Sequence, residues 1–305
     1  MEPASINRLL NRCCGFERSD RLFLGAMRSS LLIAALSLSA IPSMAQLATP
    51  NKSGVAMGHL HYHMRDVEAN KRFWTTLGGR PAKIGNTEVM RFPDVLVFLD
   101  RGESSGGTEG SVINHVAFRV PSLATVEAAG LKVQPTAGFP GVASVMTPEG
   151  ERIELFENAA QNLGFVQDAG YSDPTVERHN RPITTPVAFH HIHIYVTEPN
   201  VAAVKAWYTQ IFGGTPGKRS QYDAVDLPGV NLNISNRTER PAAPTKGRML
   251  DHIGFEIAGL EAFCRRLSGM GISFDEPLKK NADGFMSARF TDPWGTSIEL
   301  TEGLR

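Results

Sequence analysis

The stretch HHIHIYVTE, residues 190–198, decides how this chain is read. Residues two apart on a strand face the same side, so His191, His193 and Tyr195 share a face while His190 points away, to the surface. GHLHYHMRD at 58–66 repeats the pattern, with His59, His61 and His63 on one face, and NHVAFRV at 114–120 and DHIGFEI at 251–257 each carry one histidine in a strand-like run. Two more runs, TPEGERIELFE at 147–157 and DPWGTSIELTE at 292–302, set a glutamate six residues after a proline: Pro148 to Glu154 and Pro293 to Glu299. Glycine follows two after each proline, so a turn feeds the strand that presents the carboxylate.

In chain order these residues make one trio twice: His59, His115 and Glu154, then His191, His252 and Glu299. Two imidazoles and a carboxylate hold a divalent metal on one face and leave the opposite face open to substrate. A lone histidine in an apolar strand reads as a satisfied core residue. Four histidines and two glutamates recurring in register read instead as a metal site in each half, taking iron(II), manganese, zinc or nickel. His61, His63 and His193 read as hydrogen-bonding or pocket residues beside the ligands, and His61 and His193 are the candidates for moving protons near neutral pH.

At 305 residues the natural expectation is two domains. Thirty-one basic residues balance thirty-one acidic ones at 42% hydrophobic content, which describes a soluble globular protein with no electrostatic pull toward nucleic acid. The first 45 residues differ in kind: Arg28 precedes the apolar run LLIAALSLSAI, and Ser43, Met44 and Ala45 offer a signal-peptidase site before Gln46. The run is too short for a stable membrane anchor, so residues 1–45 read as a cleaved secretory signal, with Met27 an alternative initiator and a periplasmic or secreted mature chain. Cys13 and Cys14 would leave with the signal. Cys264 alone remains, without a disulfide framework, and shares a helix face with Leu260, Phe263 and Leu267 as a buried structural thiol.

Beyond the signal the chain falls into four units of strand, helix and further strands. Asp66 caps a helix over VEANKRFWTTL that Gly78 and Gly79 stop; VAAVKAWYTQIF forms another, closed by Gly213 and Gly214; shorter helices lie near LATVEAAG and LEAFCRRLSG. The longest break, residues 158–187, reads as a linker between domains at 55–157 and 188–303.

This arrangement resembles the vicinal oxygen chelate superfamily, also called the glyoxalase, bleomycin-resistance and extradiol dioxygenase fold, over residues 55 to 303. The resemblance implies an α+β fold in which four βαβββ units pair into two half-barrel domains, each cupping a metal. It places His59, His115, His191 and His252 on first strands and Glu154 and Glu299 on last strands, with a small-molecule substrate and a homodimer among the implied partners.

Departures from the family patterns narrow the chemistry. Glyoxalase-type members add a glutamate from the last strand of the first unit, but here those strands read VLVFLD and NLNISN. Three ligands per half suit an extradiol-dioxygenase-like site, where neighbouring substrate oxygens and dioxygen share the metal at His191, His252 and Glu299. The extradiol tyrosine position is Ser144 in one half and Arg289 in the other, and no histidine accompanies either. Turned into the cup, Arg289 would pair with a substrate carboxylate or phosphonate. A metal-dependent glyoxalase-type lyase or isomerase is the alternative reading. A bleomycin-resistance-type binding protein is the third, and the intact trios argue against it.

Overall fold

Val55–Met64 forms β1, buried along its length except at His61 and His63, and it sets the plan of the whole structure. The computed structural model describes residues 47–160 and 164–304, so the signal expected over 1–45 lies outside the described residues. After β1 come helix α1 (Val67–Thr76) and strands β2 (Arg80–Ile84), β3 (Thr87–Phe92) and β4 (Val95–Arg101). The second unit has β5 (Ile113–Val120), α2 (Leu123–Ala128), β6 (Gln134–Pro135), β7 (Val142–Met146) and β8 (Arg152–Glu157), followed by the short strand β9 (Phe165–Gln167). The third has β10 (Ala188–Tyr195), α3 (Val201–Phe212), β11 (Thr215–Arg219), β12 (Tyr222–Leu227) and β13 (Val230–Ser235). The fourth has β14 (Leu250–Ile257), α4 (Leu260–Gly269), β15 (Glu276–Lys280), β16 (Met286–Thr291) and β17 (Ser297–Glu302). Two mixed sheets with few helices make the α+β fold that the sequence suggests. Among the described residues no helix is long and apolar enough to cross a membrane.

The local rules hold at the helices. The Asp66 side chain accepts a hydrogen bond from Ala69 N at the start of α1, and Gly213, at φ 67°, takes the left-handed turn that closes α3. Cys264 is buried on the inner face of α4, and burial raises its thiol pKa, as suits a structural thiol.

How the units pair departs from the expectation. Neighbouring units were expected to combine, first with second and third with fourth; the sheets instead combine the first unit with the fourth and the second with the third. The first sheet runs β15-β16-β17-β14-β1-β4-β3-β2, the second β6-β7-β8-β5-β10-β13-β12-β11-β9. β1 lies antiparallel to β14, and β10 antiparallel to β5. The segment 158–187 does more than link, because its β9 pairs with β11 at the edge of the second sheet.

One apolar core serves both sheets. Trp74 of α1, fully buried, has its ring 5.8 Å from Phe92 in the first sheet and 5.8 Å from Phe118 in the second. Phe212 of α3 packs 4.5 Å from Phe255 in the first sheet, and the Tyr208 hydroxyl beside it donates to Asp292 Oδ2 at 2.7 Å. Each of these helices follows a strand of one sheet and carries an aromatic side chain to the other, burying large apolar area between them.

Candidate metal centre and a second cavity

Strand pairing settles which of the six ligand candidates meet. Across β1 and β14, His61 lies opposite His252 and His59 opposite Gly254, while Glu299 on β17 is also in register with Gly254. His59 Nε2 comes 3.0 Å from Glu299 Oε2, and His252 Nε2 3.3 Å from the same oxygen. In the second sheet His193 lies opposite His115, and Glu154 is in register with Ala117 beside them. There His115 Nε2 and His191 Nε2 stand 3.2 and 3.5 Å from Glu154 Oε2. The groups are therefore His59, His252 and Glu299, and His115, His191 and Glu154. The trios expected by chain order, including a centre at His191, His252 and Glu299, are not what the fold brings together, because β10 and β14 belong to different sheets.

A bulge shapes each group. The register of β1 against β14 shifts between Met57 and His59, and that of β10 against β5 between Phe189 and His191, so Gly58 and His190 are the extra residues. This also corrects the surface position expected for His190. Its ring is buried, because the bulge breaks the alternation on which that expectation rested, and its Nδ1 lies 2.8 Å from His191 Nδ1. Gly254 is needed for a related reason: a Cβ there would stand 2.0 Å from the His59 ring.

The first-sheet group has the residues that could hold a cation. Ligand-capable atoms of His59, His61, His252 and Glu299 all lie within 4.8 Å of one another. Asp251 Oδ1 accepts from His252 Nδ1 at 2.6 Å, which leaves the Nε2 lone pair facing Glu299. Both nitrogens of the buried His59 ring lack a hydrogen bond; its 3.0 Å approach to Glu299 is close without being aligned as one. Two imidazole nitrogens beside a carboxylate are a donor set that fits a divalent metal. Burial opposes ionisation of Glu299, but the His252 and His59 imidazoles beside it prevail and hold its carboxyl well below the usual carboxylate range. Burial also lowers the His59 pKa, keeping that ring neutral as a ligand must be.

Around these atoms stand groups that can handle protons and anions. His61 Nε2 donates to Asp100 Oδ2 at 2.8 Å, and its ring stacks on His252 with centroids 4.3 Å apart. Burial and the nearby His252 bring its pKa down to about 4, so the ring is neutral at physiological pH with Nδ1 free. Arg289 does turn into the cup: its guanidinium lies 3.4 Å from His252 Nε2 and 3.7 Å from Glu299 Oε1.

The second-sheet group opens on a cavity of about 360 Å³. His193, expected beside the ligands, stands there with Nε2 2.7 Å from Ser235 Oγ, and its own ligand-capable atoms lie within 4.8 Å of those of His115 and His191. Burial holds the His115, His191 and His193 rings neutral, well below the ordinary histidine pKa. Behind them runs a buried chain of polar groups. Arg219 Nη1 donates to His190 Nε2 and Arg219 Nη2 to His179 Nδ1, both at 2.9 Å; His179 Nε2 in turn lies 2.6 Å from Asp226 Oδ1, which Arg178 also grips.

Sequence reasoning passed over Asp251, Asp100, Arg152 and this chain. Asp251 had a visible signal: DH at 251–252 against NH at 114–115. The others did not, for their partners are distant in sequence.

Comparison with known proteins agrees with this architecture. Residues 188–300 match the family model of the Glyoxalase/Bleomycin resistance protein/Dioxygenase superfamily. No curated protein matches the chain at a significant level. Among solved structures the chain is similar to glyoxalase I from Zea mays, with a TM-score of 0.54 at 14% identity over 81% of this chain and 92% of that one. It is similar to a putative dioxygenase from Bacillus subtilis, with a TM-score of 0.54 at 15% identity over 85% of this chain and 86% of the other. By sequence over residues 188–300 the chain is similar to the glyoxalase, bleomycin-resistance and dioxygenase superfamily, and over both sheets it shares the fold of these two structures.

Proposed function

We propose that this protein is a metal-dependent enzyme acting on a small molecule with two adjacent oxygens, with extradiol-dioxygenase-like activity at the centre of His59, His252 and Glu299. The observation that carries the reading is the pairing of that donor set with His61, an imidazole fixed by Asp100 and stacked on His252. A divalent ion held by the three residues would supply Lewis-acid polarisation of the substrate oxygens. The rest falls to the chain. His61 Nδ1 is free to accept a proton from a substrate hydroxyl, and Asp100 stabilises the imidazolium that results. Its placement answers the absence of the tyrosine and histidine that extradiol relatives would use. Arg289 steers an anionic substrate group toward the centre, with a fork that can pair two oxygens at once.

The same imidazole equally suits proton abstraction beside a carbonyl, which keeps a glyoxalase-type lyase or isomerase as the second reading. Oxygen-electrode assays on iron(II)-loaded protein with catechols, and zinc- or nickel-loaded assays with α-hydroxy carbonyl compounds, separate the two. Oxygen uptake lost in His59→Ala supports the dioxygenase. Metal-dependent turnover without oxygen uptake sinks it and supports the lyase or isomerase.

We further propose that the enzyme works outside the cytoplasm after removal of residues 1–45. Mass spectrometry of the exported chain should show an N-terminus near Gln46. Full-length protein retained in the cytoplasm would overturn this.

A further inference from the structure

The two centres descend from the same pattern, yet their surroundings carry opposite charge. At the first, Glu299 and Asp251 stand beside the His252 imidazole and the guanidinium of Arg289, and Asp100 beside His61. Lining the second cavity are Arg152, Arg219 and Arg237 against Glu154 alone. Like charges in a partly buried site repel by several kcal/mol at an effective dielectric near 20, so a divalent cation is favoured at the first centre and opposed at the second.

Hydrogen-bond direction points the same way. A guanidinium can only donate. Arg219 Nη1 donates to His190 Nε2, so the neutral His190 ring carries its proton on Nδ1 and gives it to His191 Nδ1 at 2.8 Å. His191 must then carry its own proton on Nε2. Arg152 Nη2, a donor, and Asn114 Oδ1, an acceptor, both stand within hydrogen-bond distance of His115 Nδ1. The His191 imidazole thus presents an N–H where a metal needs a lone pair, the reverse of His252. Two buried polar atoms there, His191 Nε2 and Asn233 Oδ1, have no hydrogen-bond partner and line the cavity.

We propose that the second-sheet cavity is an organic-anion site, shaped for a small aromatic carboxylate and not for a metal. Arg152, whose side chain is 29% exposed and which also holds Glu154 Oε1 and Asn114 Oδ1, supplies positive charge toward the carboxylate, and the His191 N–H adds a donor deeper in. Arg237, held over the Tyr222 ring at 5.9 Å, stands as a second cation. Phe139, Phe156, Tyr195 and Tyr222 line the walls and offer faces and edges to an aromatic ring. About 360 Å³ is room for a ligand of that size.

Calorimetric titration of the chelator-stripped full chain with benzoate tests this. One equivalent should bind, benzyl alcohol should not, and Arg152→Gln should weaken benzoate tenfold or more with an unchanged melting temperature. Arg289→Gln, at the other centre, should leave benzoate binding as it was. Zinc titration should give one equivalent per chain, lost in Glu299→Gln and kept in Glu154→Gln. No benzoate binding, benzoate binding indifferent to Arg152→Gln or lost in Arg289→Gln, or a second zinc lost in Glu154→Gln, would each overturn the proposal. None of these outcomes depends on the reaction at the first centre.

Discussion

His59 and His252 stand nearly perpendicular with ring centroids 5.5 Å apart, joined from the two ends of the folded chain by the antiparallel pairing of β1 with β14. His115 and His191 repeat that relationship at 5.5 Å in the second sheet, through β5 and β10. Each centre therefore needs both halves of the chain, and so does each sheet.

Separated halves should consequently fail to form native monomers. A fragment of residues 47–160 expressed alone loses the partners of β1 and β5, exposing two long strand edges. We expect it to aggregate or self-associate, and to recover near-ultraviolet circular dichroism and a defined 1:1 mass only when co-expressed with residues 164–304. A well-folded monomeric half in sedimentation would contradict the pairing.

Gly254→Ala should injure the metal centre more than the fold. The added Cβ would lie 2.0 Å from the His59 ring, and the ring must move aside. Ala117 stands opposite His191 in the second sheet, so the backbone itself tolerates alanine at such a position. The expected result is metal affinity lowered tenfold or more with a modest fall in melting temperature; unchanged metal affinity would contradict the geometry.

Asp251→Asn should weaken metal binding by about 10- to 100-fold, because the carboxylate fixes the His252 tautomer and raises its basicity. Competition titration with a chromophoric chelator reads this directly. Glu299→Ala, which removes a ligand, should exceed that loss.

Acid should destabilise the metal-free protein from about pH 6.5 downward. Burial outweighs the attraction of Asp226 and brings His179 down to about 4, whereas the unfolded chain titrates near its ordinary 6.5. Below 6.5 the unfolded state takes up the proton and the folded state does not. Stability is thus fully present above that pH and is lost toward pH 4, at roughly 1.4 kcal/mol per pH unit. Asp226, held at about 2 against burial by His179 and Arg178, extends the loss at lower pH still. Denaturant unfolding across this range should show the slope in the wild type and a shallower one in His179→Asn; parallel slopes would refute the assignment.

Much of this was legible along the chain. The helices at Val67–Thr76 and Val201–Phe212, their Asp66 and Gly213 ends, the strands bearing the six ligand candidates and the α+β class follow from periodicity and capping, which are local. The shared face of His59, His61 and His63 follows from alternation for the same reason. His190 escaped because one inserted residue in β10 changes which side a ring faces, and a bulge leaves no mark in an alternating apolar pattern.

What the amino-acid order alone determined is the set of residues able to hold a metal; which of them come together was decided by tertiary structure. Four similar units can pair with a neighbour or across the chain without altering a single strand pattern. Only the packing of Trp74 and Phe212 between sheets and the edges of β1, β5, β10 and β14 select the crossed arrangement. The same holds for charge: Arg152, Arg219 and Asp251 are ordinary polar residues until folding places guanidinium groups behind one set of imidazoles and a carboxylate behind the other.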